Sequence, residues 1–414
     1  MRDADIVIVG AGAAGLSLAH RLCTAAAGSA RPSVILVDAP HGPLGPPERT
    51  WCFWEGPGGE YDAALSASWE QLRVRGRDGG SSVGWPAPLR YKMLRSRAFE
   101  TLTGERLSDV DGFRRVEATV RSVRDAPGGA EVHGQDAAGN PVRLRARWAF
   151  DSRPPSHLPP ARTTLLQHFR GWFLHTARPA FDPRVADLMD FRTRQPAHGL
   201  SFGYVLPLGP REALVEHTEF SRTVSDDAAY DRALRHYTGD VLGLGEFRVT
   251  AVEQGVIPMT DARFPPRVGR SVLRIGTAGG ATRPSTGYTF AAVQRQTAAI
   301  ADDLLAGRPP SPPPPHAWRS RAMDAVLLRA LDSGRVDGAE FFTGLFRALP
   351  MERMLRFLDG RSRVWEDLLV GLHTPMAPMA RTALEIPWLP RRPSPARSAS
   401  GRPDRPFDQE ESVR

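Results

Sequence analysis

Lysine is almost missing from this chain. Of 54 basic residues only Lys92 is a lysine, so arginine carries the formal net charge of +8 and the isoelectric point near 10.2. No nucleic-acid-binding motif accompanies that charge, which argues against a nucleic-acid partner. An arginine-rich genome accounts for the bias, and attraction to an anionic membrane surface is the functional alternative. Cysteine is nearly as scarce. Cys23 and Cys52 make neither a disulfide framework nor a metal-ligand spacing, and the expected compartment is a reducing cytoplasm. No run of about eighteen apolar residues exists, so no helix is expected to span a bilayer. The opening MRDADIVIVGAG has only a short apolar run leading into a glycine loop, which reads as a buried strand and not a leader. A second nucleotide fingerprint is missing as well. Gly243 and Gly245 lack a third partner and a suitable preceding strand, so nothing points to a pyridine-nucleotide site within the chain.

What is present is globular: 414 residues, 41% hydrophobic and 24% charged. Residues 5–9 form a β-branched apolar run, 16–22 read as a helix and 33–38 as a second strand, a βαβ unit opening a doubly wound sheet. The middle of the chain alternates short strands with Gly, Pro and Asp turns. The expected class is α/β with α+β character: a Rossmann-like domain over 1–306, with an inserted mixed sheet from roughly 70–95 and 160–265. A proline-rich linker, 307–316, leads to a helical segment over 317–385, and the Pro/Arg/Ser-rich stretch 386–414 reads as a disordered tail.

Two glycine-rich segments carry the chemistry. Gly10-Ala11-Gly12-Ala13-Ala14-Gly15 is a G-x-G-x-x-G between strand and helix, the context the fingerprint needs. Gly10 makes the turn, Gly12 lets backbone N–H groups reach a pyrophosphate, Gly15 lets the helix pack on the strand, and the helix N-terminus favours the phosphate charge. Asp38 closes the second strand, where a carboxylate accepts from a ribose and disfavours a 2′-phosphate. Far away, residues 276–288 again follow a strand and precede a helix; Gly276, Ala278, Gly279, Thr286 and Gly287 are its candidate contacts. A dinucleotide held at both ends points to FAD.

The order of further motifs makes a resemblance specific. Thr50-Trp51-Cys52-Phe53-Trp54, Phe150-Asp151-Ser152-Arg153, Tyr204-Val205-Leu206-Pro207-Leu208, Leu214-Val215-Glu216-His217-Thr218, Glu253-Gln254-Gly255-Val256-Ile257-Pro258-Met259 and Pro284-Ser285-Thr286-Gly287-Tyr288 follow in sequence. Together they resemble the FAD-dependent lycopene β-cyclase family of carotenoid biosynthesis across most of residues 4–375. His217 departs from the family's second acidic position, and Thr277 stands where plainer flavoproteins have Asp.

The resemblance implies an acid-catalysed, redox-neutral closure of the ψ-ends of lycopene to β-ionone rings. It also implies reduced FAD, with NAD(P)H as the external reductant, and Asp151 among the cofactor contacts. Glu216 maps onto the family's essential acid; the alternative is an exposed strand carboxylate. Asp190, in a Met-Asp stretch, is either a second catalytic group or a structural acceptor. Trp51, Phe53, Trp54, Tyr204 and Tyr288 are candidate faces for the cation, Trp51, Phe53, Tyr204 and Tyr288 being taken as the pocket. His217 is expected on the opposite sheet face, because adjacent strand residues alternate. Peripheral membrane contact is expected through an apolar stripe within 341–358, with a lid packed on the protein's own core as the alternative. An FAD-dependent monooxygenase or halogenase, and a geranylgeranyl-reductase-like flavoprotein, are the rival classes.

Overall fold

The computed structural model describes residues 2–25, 31–40 and 47–393. Three sheets organise them. The first runs Phe113–Glu117, Val34–Asp38, Ala4–Val9, Pro141–Asp151, Gly129–Gln135 and Thr119–Ala126, with Val272–Arg274 also paired to Pro141–Asp151. Its central strands are parallel and buried on both faces, which is why Ile6, Val7 and Ile8 follow one another without polar alternation. The helix Ala13–Cys23 packs on this sheet beside Phe290–Leu305, completing the doubly wound half of an α/β fold.

The second sheet runs Phe247–Thr260, Thr164–Thr176, Glu212–Ser221, Leu200–Pro207, Val185–Asp190, Gln71–Arg75 and Ser81–Gly84. Its two faces bury different things, as period-two alternation requires. Leu72, Leu188, Leu206 and Leu214 face the main core, together with the small third sheet of Thr50–Glu55, Arg90–Arg95 and Leu65–Trp69. Val205, Val215 and Trp172 face the reverse side, under Leu234 of the helix Asp227–His236 and under Tyr237 beyond it.

The helical segment packs onto the main core and not outward. Helices Trp318–Asp332, Gly338–Ala348 and Met351–Leu358 turn Phe342, Leu345, Met354, Leu355 and Leu358 into it, each almost wholly inaccessible. Each such side chain contributes roughly 1.5–3 kcal/mol by leaving water. The stripe expected to meet the membrane is therefore a lid over the protein's own interior. Residues 386–393, expected in the tail, hold a 3₁₀ turn at Ile386–Trp388, and Arg392 exchanges two backbone hydrogen bonds with Ala161. The rest of that tail, 394–414, lies outside the described residues.

Candidate active site

The first glycine loop is built as its motif requires. Gly10 has φ +95°, and a β-carbon on Gly15 would lie 1.8 Å from the Gly10 carbonyl oxygen, so both positions demand glycine. Gly12 differs: a β-carbon there meets nothing within 4 Å. The helix starting at Ala13 and Ala14 has no side-chain cap, leaving its first N–H groups to a ligand. Asp38 accepts from the Ala11 N–H at 3.2 Å and pairs with Arg115 at 3.0 Å, a partner absent from the sequence reading. Asp151 turns its carboxylate to Arg153, at 2.9 and 2.7 Å, and it is the Ser152 hydroxyl that reaches the loop, donating to the Val9 carbonyl at 2.8 Å.

The second loop closes on the first. Gly276 has φ +64°, and a β-carbon on it would sit 2.9 Å from that of Ala14. Its N–H donates to Gln296 at 2.8 Å, and the 3₁₀ turn Gly276–Gly279 buries Ala278 and Gly279. Gly287, at φ +72°, leaves no room for a β-carbon beside Gln167, whose buried Oε1 has no hydrogen-bond partner among the described residues. Free helix N–H groups, open space over Gly12 and an orphan acceptor beside Gly287 fit a dinucleotide bound across both loops. Thr286 donates to the Leu358 carbonyl at 3.1 Å, so its hydroxyl ties the loop to the lid. Arg283 and Ser285 add a buried tie to Asp324, at 3.1 and 2.6 Å.

Glu216 stands in a row across four strands: Tyr204, Glu216, Gly171 and Glu253 occupy one register and share the main-core face. Tyr204 and Tyr288 bring their hydroxyls to 3.5 Å, and Trp54 meets Tyr288 edge-on with ring centroids 4.5 Å apart. Burial is the main cause that pushes the Glu216 carboxyl up to about 8; the Thr218 hydroxyl, 2.6 Å away, opposes this and the charge of Glu253 adds to it. Glu216 keeps some accessible surface on the main-core face. Burial also holds Tyr204 and Tyr288 neutral, pushing the latter to about 12.

Other expected residues lie elsewhere. Trp51 and Phe53 both pack on Phe290, with centroids 5.5 and 4.6 Å apart, in the core of the first domain. Their strand neighbours Cys52 and Trp54 face Tyr91 and Tyr288 instead. Asp190 pairs with Gly203 and lies on the reverse face of the sheet from Glu216. It is inaccessible and fully engaged, by Arg192 at 2.9 and 2.6 Å and by the Tyr237 hydroxyl at 2.9 Å, the geometry of a structural acceptor. His217 shares that reverse face, where burial lowers its pKa to about 4 and keeps it neutral. A recess of about 190 Å³ beside Arg73, Arg75, Asp187 and Arg192 also opens there, away from Glu216.

The sequence reading missed Glu253. It stood in a quoted motif, but nothing local shows that it faces Glu216. Both its oxygens accept from Thr50, from the N–H at 2.7 Å and the hydroxyl at 2.5 Å. Burial raises its pKa, against those two bonds.

The fold is the one seen in flavoproteins of the aromatic-hydroxylase and halogenase type. A geranylgeranyl bacteriochlorophyll reductase-like protein from Thermoplasma acidophilum is similar at TM-score 0.60 and 10% identity, over 91% of this chain and 98% of its own. p-Nitrophenol 4-monooxygenase PnpA from Pseudomonas putida DLL-E4 is similar at 0.58 and 14%, over 94% and 98%. A flavoprotein/dehydrogenase from Cytophaga hutchinsonii follows at 0.59 and 13%, over 92% and 98%. Such identities speak to the fold alone. No curated protein sequence matches the chain. The family itself comes from the sequence: the lycopene cyclase protein family matches residues 5–384, and the chain belongs to it.

Proposed function

We propose that this chain is a lycopene β-cyclase, closing the ψ-ends of lycopene to the β-ionone rings of β-carotene without net redox change. One observation carries the reading: the Glu216 carboxyl is enclosed beside Tyr204 and Tyr288, where burial pushes it up to about 8. Protonating an alkene needs such an acid in a dry site. Glu216 gives its proton to the terminal double bond. The neighbouring double bond attacks the resulting tertiary cation, forming the ring C–C bond. A ring proton then leaves, so protons and electrons balance. Tyr204, Tyr288 and Trp54 offer ring faces to the cation, each worth about 0.5–2 kcal/mol, and exclude water that would trap it.

Gly10, Gly12, Ala13, Ala14, Gly15 and Asp38 would hold the adenosine diphosphate end of FAD, and Gly276, Ala278, Gly279 and Gly287 the flavin end. Bound there and reduced, with NAD(P)H as external reductant, FAD would supply negative charge to the site without adding a nucleophile.

The substrate is a hydrocarbon dissolved in the bilayer, and the enzyme would meet it as a peripheral protein of the cytoplasm. No helix of the described residues is long and apolar enough to cross a membrane. The helix Val364–Leu372 exposes Val364, Trp365, Leu368 and Leu372 along one side, and Met376, Leu384 and Trp388 continue the exposed apolar surface, Trp388 at 87%. Arg361, Arg363 and Arg381 flank it, exposed, and their guanidinium groups make no ion pair among the described residues. Glu366, Asp367 and Glu385 are meanwhile engaged by Arg356, Arg319 and Arg329. An apolar ridge with free cations fits an anionic bilayer.

Expression in a lycopene-accumulating host tests the proposal. Cyclic pigment of unchanged mass is expected; a hydroxylated product or one with added hydrogen would overturn it in favour of a monooxygenase or a reductase.

A further inference from the structure

The row across the second sheet holds two carboxylates where the chemistry uses one. Glu216 and Glu253 flank Gly171 in one register on the same face, from the strands on either side of it. Gly171 has no side chain to part them, and a β-carbon there would press on Leu214 at 2.8 Å and on the Glu216 β-carbon at 3.4 Å. In a dry interior a charge on one carboxyl makes ionisation of the other harder, even across an intervening strand.

Their hydrogen bonds decide which one ionises. Glu253 receives a backbone N–H and a hydroxyl from Thr50, one on each oxygen, and Arg95 adds a favourable charge. Glu216 has only the Thr218 hydroxyl. Donors aimed at a carboxylate favour its charged form. Around the pair, the other titratable groups are Cys52 from Thr50–Glu55, Tyr204 from the adjoining strand and Tyr288 from the second loop, all held neutral by burial, with Glu48 and Arg95 near Glu253. None of these supplies Glu216 with a compensating cation.

We propose that Glu253 is a positioning residue that stays ionised across Gly171 and so widens the pH range over which Glu216 keeps the acid form that protonates the substrate. Its role deepens the cyclase reading in its chemical step, but the coupling of the two carboxyls stands apart from any substrate. Glu253 acts through charge, and its bonds to Thr50 place that charge.

Glu253→Gln separates charge from scaffold. The amide still accepts from the Thr50 N–H and can donate to its hydroxyl, so a purely structural role survives the change. Infrared difference titration of the FAD-bound protein, with Glu216→Gln to assign the Glu216 band, reads that carboxyl directly. The wild-type midpoint is expected near pH 8, falling by about one pH unit in Glu253→Gln, the size of a single neighbouring charge. The alkaline limb of the cyclisation profile should move by the same amount, with kcat at pH 6 retained. Glu253→Asp keeps the charge and should hold the midpoint near the wild-type value; it serves as the test if the Gln variant fails to fold. An unmoved Glu216 midpoint in folded Glu253→Gln, or an equal fall in Glu253→Asp, overturns the proposal. A shifted midpoint in a protein that forms no ring leaves the coupling standing and overturns the cyclase reading alone.

Discussion

Glu216 and Asp190 sit on opposite faces of one sheet, the first among Tyr204 and Tyr288, the second locked to Arg192 and Tyr237. Their substitutions should therefore fail differently. Glu216→Gln is expected to keep FAD and a cooperative native fold while cyclisation falls by at least the 100- to 10,000-fold typical of a lost general acid. Asp190→Asn should instead lower stability by about 3 kcal/mol, the scale of breaking a buried charge pair, with turnover per folded molecule largely kept. Pigment assays with denaturant melts of both variants check this; a stable, inactive Asp190→Asn would return that residue to the chemistry.

Activity and stability should both report the Glu216 carboxyl, in adjoining pH windows. Cyclisation is expected to be lost as pH rises through about 8, where Glu216 gives up its proton. A carboxyl whose folded pKa is raised binds more protons folded than unfolded. Its contribution is complete below the unfolded value, near 4.3, and is lost as pH rises through the folded value near 8. Glu216→Gln should flatten the fall in melting temperature across that window, which a pair of pH-dependent melts will read. Parallel curves would show that Glu216 is not the group responsible.

Gly12 offers a clean test of the cofactor loop. Its backbone is extended and the space beside it is open, so Gly12→Val should fold with an unchanged apoprotein melt yet show no flavin absorbance after reconstitution. Gly15→Val, set against the Gly10 carbonyl, should fail to fold at all. Retained FAD in Gly12→Val would move the pyrophosphate elsewhere.

Membrane contact should follow exposure and not hydrophobicity. Leu368→Glu with Leu372→Glu removes two side chains, each 66% exposed, and is expected to cut co-sedimentation with phosphatidylglycerol vesicles about tenfold without changing the melt. Leu345→Ala, in the buried stripe, should cost about 2–5 kcal/mol and leave vesicle binding of the folded protein intact. Unchanged binding by the double variant would show that another surface meets the lipid.

Truncation should have a sharp boundary. Ending the chain at residue 393 is expected to leave the melt unchanged. Ending it at 386 removes Arg391, which donates to the Asp261 carbonyl at 3.0 Å, and the Arg392 pairing to Ala161. That cut should lower stability by about 1–3 kcal/mol, measured by thermal melts of the two forms.

The parts of this molecule legible in its sequence are those whose cause is local. The strand, glycine turn and helix at residues 4–23 follow from apolar runs and from turns only glycine makes. Glu216 became a candidate by resemblance alone, and the reverse face of His217 was legible by alternation. Alternation also separates Trp51 and Phe53 from Cys52 and Trp54, but not which pair meets the pocket, since both faces of that strand are buried. The stripe at 341–358 reads alike whether its partner is a bilayer or the protein's own core. Glu253 was out of reach because only the pairing of three distant strands puts it opposite Glu216.

The buried tie between Arg283 and Asp324, with Thr286 bonded to the Leu358 carbonyl, has a consequence for how the holoprotein comes into being. The loop that would cradle the flavin is braced by helices that leave the ribosome some forty to seventy residues after it. Until they dock, Arg283 would be a bare cation in an apolar hollow. Flavin capture and lid closure would then be one event, late in synthesis, and flavin retention in a purified variant would report whether its last helices are seated.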